Sequence, residues 1–194
     1  MSLLVIPLIL EQVVSAMNVT GVSNINFQIG RLSDIIKSQT DMDNSLSFKD
    51  KKYPMVSMEI PIREISNAAN YTFAIYIPKI VISNIGDGTS DMMSKYQTGG
   101  VFLSILYPMF YEFLNQLSLH PLVNTSDPTT LKYQKLDSPG VQPIIPLSND
   151  FVDAIEIVNL EFQILKSVVI GNSGSTTKVA GSTTTDAPIQ GGCV

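Results

Sequence analysis

Two stretches of the chain, Tyr53 to Ile62 and Asn70 to Ser83, alternate with the two-residue period of a β-strand. A short polar bend, Arg63 to Asn67, separates them, so the pair predicts a long antiparallel hairpin at the centre of a small α+β domain. In the first stretch Val56, Met58, Ile60 and Ile62 share one phase, while Ser57, Glu59 and Pro61 share the other. One face is therefore expected in the core and the other is wetter. In the second stretch Tyr71, Phe73, Ile75 and Ile77 fall on one face, and Ala74, Tyr76, Ile80 and Ile82 on the other. Both faces of that strand are apolar, so helices are expected over one and a second chain over the other. Pro54, Pro61 and Pro78 cannot donate to a ladder, which places them at strand ends, at an edge or at a bulge.

The flanking segments follow the same logic. Leu10, Val13, Val14 and Met17 have helical spacing and predict a helix over Leu8 to Met17, ended by Gly21 and Asn24. Ile25 to Ile29 reads as a half-buried strand. Arg31 to Lys52 is polar and reads as a loop with one helical turn near Leu32 to Ile36. Gly86 to Asp91 is turn-rich. Phe102, Ile105, Leu106, Met109, Phe110, Phe113 and Leu117 form a helical stripe within Val101 to Leu119. Pro108 predicts a kink there, or two helical pieces meeting at Tyr107. Residues 121–150 hold five prolines and read as extended coil, with a short strand at Leu131 to Leu136. Phe151 to Lys166 is the last strand. Ile155 and Ile157 share one phase, and Val158, Leu160, Phe162 and Ile164 the other, so a β-bulge or bend is expected between them. Residues 1–170 make one domain, and 171–194 are a flexible Gly/Ser/Thr-rich arm.

Composition narrows the function. With 194 residues the chain fits one domain with a tail. Charged residues are 15%, against about 25% in ordinary soluble domains, which fits either surface covered by partners or loops rich in Ser, Thr and Asn. A net charge of −5 argues against general nucleic-acid binding, which needs clustered Lys and Arg. Leu3 to Leu10 is apolar, but no basic residues precede it, so it is not read as a secretory signal, and it is too short to span a bilayer. The sequons at Asn18, Asn70 and Asn124 then carry no weight. Cys193 has no internal disulfide partner. His120, the only imidazole, precedes a proline at a helix end and reads as a cap. Asp41 to Ser45 begins like a calcium loop but fails at Leu46 and Lys52. Glu59, Glu64, Glu112, Glu156 and Glu161 supply carboxylates, yet nothing in the spacing pairs any two. No cofactor and no enzymatic activity are expected.

The phrases "KYPMVSMEIP" (Lys52 to Pro61), "YTFAIYIPKIVIS" (Tyr71 to Ser83), "LYPMFYEFLNQL" (Leu106 to Leu117) and "DAIEIVNLEFQI" (Asp153 to Ile164) follow an N-terminal helix and a strand. In that order they resemble the tail-terminator and tail-completion proteins of tailed phages, especially the crAss-like group of Bacteroidetes hosts. The resemblance covers about residues 1–166. It implies a mostly antiparallel sheet with helices packed on one face. It also implies a structural virion protein, a homo-oligomeric ring at the head–tail joint or in the tail. Portal, adaptor and neighbouring ring proteins would be its partners, with DNA passing through and no membrane involved. The chain would then occupy the virion, and the host cytoplasm during assembly. A non-structural phage assembly factor of similar fold is the alternative. Asp41, Asp43, Asp87 and Asp91 are candidate channel-facing acids. Tyr76, Met92, Met93, Tyr96, Val179 and Ile189 are candidate inter-subunit contacts.

Overall fold

The computed structural model describes residues 5–44, 52–67, 72–86, 91–124, 131–141 and 152–165. Its elements, in chain order, are α1 (Val5–Ala16), β1 (Asn26–Gly30), α2 (Leu32–Asp43), β2 (Met55–Glu59), β3 (Arg63–Asn67) and β4 (Thr72–Ile85). They are followed by α3 (Met92–Lys95), a π-helical turn (Phe102–Leu106), α4 (Tyr107–Leu119), β5 (Lys132–Val141) and β6 (Val152–Leu165). The described strands form one sheet in the order β1-β2-β4-β6-β5, with β3 also on β4. All pairings are antiparallel except β1 with β2. The chain is therefore α+β with a mostly antiparallel sheet.

The long hairpin is assembled differently from the expectation. Residues 63–67 are not a bend. They form β3, which pairs Arg63 with Tyr76 and Asn67 with Thr72 along the first half of β4. Strand β2 pairs with the second half, Met55 with Ser83 and Met58 with Ile80. Pro61, which has no N–H to offer, lies in the break between them. Ile60 accordingly leaves the core and is exposed, whereas Ser57 is buried.

One face of the sheet carries the main core. Val56, Met58, Ile75, Ile77, Ile80 and Ile82 are buried there with Ile155, Ile157, Leu160 and Phe162. Against them pack Ile6, Leu10 and Val13 of α1 and Met109, Phe113 and Leu117 of α4. Ile80 and Ile82 thus share a face with Ile75 and Ile77, contrary to a simple alternation. The reason is a paired irregularity. Ile77 faces Leu160 and Ile80 faces Ile157, so each strand carries two residues where one would continue the alternation. Pro78 lies in this step on β4, and on β6 Asn159 adopts a positive φ of 54°. Both strands slip together, and their mutual register is kept. The phase break expected in β6 is present, centred on Val158 and Asn159.

The parallel pair β1-β2 requires a crossover, and α2 is that crossover. Arg31 to Lys52 is therefore not mainly loop. Ile35 and Gln39 are buried on the face opposite α1 and α4, near Met55 and Ser57. The backbone N–H of Arg31 donates to Asp34 Oδ2 at 3.3 Å, starting the helix. Helices on one face describes α1 and α4; α2 is added on the other. The stripe from Phe102 does change character at Tyr107. The Tyr107 N–H donates to the Phe102 carbonyl, five residues back, before Pro108 enters the first turn of α4.

Candidate functional site

A concavity lies at the end of the sheet where β4 finishes and β6 begins. A hollow of about 550 Å³ opens there, walled by Ile85, Gln97, Gly99, Val101 and Ile105. On its floor Lys95 Nζ donates to Asp153 Oδ1 at 2.6 Å, with side chains only 5% and 0% exposed. The Gly140 N–H donates to the same oxygen at 2.6 Å. Asp153 Oδ2 has no hydrogen-bond partner. It packs against Gly86, where a Cβ would come within 2.8 Å of it. Gly100 closes the loop behind Lys95 so tightly that a Cβ there would lie 2.3 Å from the Ser94 carbonyl oxygen.

A second polar group sits beside this floor. The Tyr107 hydroxyl donates to Asp137 Oδ2 at 2.7 Å, and Lys135 Nζ donates to Asp137 Oδ1 at 2.6 Å. The Lys135 ammonium also lies 4.2 Å from the centre of the Tyr107 ring. Burial, then the bond to Asp137, pushes the Tyr107 phenol well above its ordinary range. Burial, then Asp137 and Asp153, raises Tyr96 as well. Both phenols are therefore protonated at neutral pH, and Tyr107 donates to Asp137. The Tyr107 hydroxyl ties α4 to β5, and the Lys95–Asp153 pair ties α3 to β6.

The other face of the sheet is more polar. Lys79 pairs with Glu156 at 2.8 Å. The Tyr76 hydroxyl donates to Glu161 at 3.4 Å, and the Arg63 guanidinium lies 5.9 Å from the Tyr76 ring centre. Glu156 and Glu161 stand five residues apart on β6, about 16 Å along a strand, too far to act as a hydrolytic acid pair. Between α2 and this face runs a slot of about 50 Å³. Gln39 Oε1 and Ser83 Oγ in it have no hydrogen-bond partner, and its volume suits a few waters.

The anticipated residues do not converge. Asp41 is exposed on α2 and Asp91 is exposed at the start of α3, on separate elements. Asp87, Val179 and Ile189 lie outside the described residues, as does the side chain of Asp43. Cys193 and the arm 171–194 lie outside them too. Met92 and Met93 are exposed on α3, next to the hollow. Tyr96 turns inward and stacks on Phe102, ring centres 4.4 Å apart. Tyr76 is half-buried in the polar network. His120 is the C-cap residue of α4, but it is its backbone N–H that meets a helix carbonyl, that of Leu117. Instead of capping carbonyls as expected, its side chain accepts at Nδ1 from the Leu122 N–H at 3.3 Å and places Nε2 3.0 Å from Gln12 Oε1. Lys95 and Asp153 were not singled out from the sequence. The signal was there for Asp153, a charged residue in the same phase as the core residues Ile155 and Ile157.

Comparison with family models, curated proteins and solved structures finds no match. Among the described residues no helix is long and apolar enough to cross a membrane. No group of three or more His, Cys, Asp or Glu side chains among them could hold a metal.

Proposed function

We propose that this chain is a structural virion protein, a subunit that self-associates into a ring in the neck or tail of a tailed phage. Portal, adaptor and neighbouring ring proteins would flank it, and DNA would pass through its centre. The supporting observation is the sheet itself. Among the described residues it ends on an edge strand at each side, β1 and β5, and β3 pairs on one side only. Each carries exposed apolar side chains: Ile29 on β1, Ile65 on β3, Tyr133 and Leu136 on β5. Open strands with apolar residues are templates for another chain. Two unlike edges on opposite sides suit heterologous contacts, which close into rings when the rotation permits. A net charge of −5 suits a conduit that does not hold phosphate.

The test is the mass of the full-length protein in solution, with negative-stain images of the same sample, followed by analysis of purified particles. Closed rings, and a fixed copy number in the particles, are expected. A monomer absent from the particles overturns the reading and favours an assembly factor.

A further inference from the structure

We propose that the slot between α2 and the polar face of the sheet binds a small neutral molecule, an apolar body carrying one hydroxyl, of the size of a short aliphatic alcohol. The slot exists because its floor is made mostly of short side chains. On that face the ladder register sets Met55, Ser83, Ala154 and Ser138 in one row across β2, β4, β6 and β5. Ser57 and Val81 stand opposite each other in a second row. Over this floor the buried side chains of α2 are Ile35 and Gln39. Short groups below and few above leave the gap of about 50 Å³.

Two polar atoms in the slot call for a partner. Gln39 Oε1 and Ser83 Oγ have none, although their residues are only 2% and 3% exposed. They share a neighbour: Gln39 Nε2 lies 3.5 Å from Met55 Sδ, and Met55 stands directly opposite Ser83. A buried polar atom left unpaired is costly. A hydroxyl both donates and accepts, so one such group serves the Gln39 carbonyl oxygen and the Ser83 hydroxyl together. Charge on the guest is disfavoured. The charged groups at the slot are Glu59 and Glu156, with no Lys or Arg among the described lining residues, which repels carboxylates and phosphates. Glu156 is already met by Lys79 Nζ at 2.8 Å and by the Ser138 hydroxyl at 3.2 Å, and Glu59 keeps access to water. Size sets the rest. A water takes about 10–15 Å³ in this measure, so the gap holds roughly three to five non-hydrogen atoms. Waters fit it poorly, because each needs several polar partners and the side chains of Ile35, Val81, Val152 and Ala154 offer none. An alcohol replaces those waters with apolar contact and keeps the two hydrogen bonds.

The test is titration of the full chain with n-butanol, followed by NMR of the methyl groups of Ile35, Met55 and Val81. Saturable shifts at these residues are expected at millimolar alcohol. The chloride n-butyl chloride, of matching length without a hydroxyl, should bind at least about tenfold more weakly. Ser83→Ala and Gln39→Leu each remove one unpaired polar group from the slot, so both variants should fold. Each should weaken butanol about tenfold and leave n-butyl chloride within about twofold of wild type. Shifts that never saturate, or that spread over exposed sites such as Met93 and Leu119, overturn the proposal. So does equal affinity for the two compounds, or a butanol affinity that neither variant changes; the slot would then be an apolar gap that recognises no hydroxyl. None of these readouts involves association between copies, so the result is independent of the ring reading.

Discussion

The two ends of the 102–119 rod are secured by different physics. At the amino end a buried ion pair, Lys95–Asp153, fixes the floor of the hollow, and Gly100 permits a backbone approach that no other residue allows. At the carboxyl end the ties are neutral and partly exposed: His120 bridges Gln12 of α1 and the Leu122 backbone. An anchored charge leaves little room for adjustment, because losing either partner strands the other in low dielectric. Neutral hydrogen bonds at a half-exposed end are worth about 1 kcal/mol each and re-form with water. The difference teaches where rigidity is placed. The amino end is anchored by charge and close packing, and the carboxyl end is held lightly.

Removing the ammonium should break this contrast most severely. Lys95→Met is expected to cost about 3–5 kcal/mol in urea unfolding, because Asp153 remains buried and charged. Adding Asp153→Asn should recover part of that loss, since a neutral amide still accepts the Gly140 N–H. If Lys95→Met costs under about 1 kcal/mol, the amino end is not anchored as described.

Gly100→Ala acts at the same end by sterics alone. A Cβ would meet the Ser94 and Lys95 carbonyl oxygens at 2.3 and 2.4 Å. A cost of about 1–3 kcal/mol is expected, with faster hydrogen exchange concentrated at 94–104. At Gly99 nothing lies within 4 Å of an added Cβ, but φ is +87°. Gly99→Ala should therefore cost only the backbone strain, about 1 kcal/mol. Equal effects at the two glycines would mean the close approach at Gly100 does not matter.

These two ends also show what the sequence could convey. The carboxyl end was legible: a lone histidine before a proline, closing a strong apolar stripe, is a local pattern. So was the junction at Tyr107, because Pro108 acts on its own turn. The amino end was not, because Lys95 and Asp153 are 58 residues apart and only the fold brings them together. The same reason hid β3. Its residues are short, mixed in charge and stranded only by pairing with β4. Helix α2 was hidden by composition. Its buried side includes Gln39, so the apolar spacing from Leu32 through Ile35 fades after one turn. For the sheet, the slip in β6 could be read, but not that Pro78 sits at the same level in β4 and keeps Ile80 and Ile82 in the core.

A change midway between the ends sharpens the comparison by leaving both intact. Asn159 holds a positive φ of 54°, which Asn tolerates and β-branched residues resist. Asn159→Val should destabilise the whole domain by about 1–2 kcal/mol, while Asn159→Gly stays within a few tenths of wild type. Thermal unfolding of both variants checks this. Faster exchange limited to 94–104 in the valine variant would show that the slip and the hollow are coupled.

The smallest effect belongs to the carboxyl end and is read as a pH dependence. Because the Leu122 N–H donates to Nδ1, that nitrogen carries no proton and Nε2–H faces Gln12 Oε1. Protonation would break the Leu122 bond, and burial already lowers the His120 pKa below its usual 6.5. The sign follows from which state takes up the proton first. On acidification the unfolded chain protonates near pH 6.5 while the folded chain resists, so stability falls as pH drops through that value and levels off below the folded pKa. Glu112, on α4, titrates in a separate window. Hydrogen bonding from Gln116 holds its carboxyl below 4.5, so its contribution is lost only at lower pH. Unfolding midpoints of wild type and His120→Gln, compared from pH 7.5 to 5, should therefore diverge below pH 7, with wild type losing more. Parallel curves would mean that the imidazole accepts its second proton without disturbing the turn, and that the end beside Leu119 is looser than its two hydrogen bonds imply.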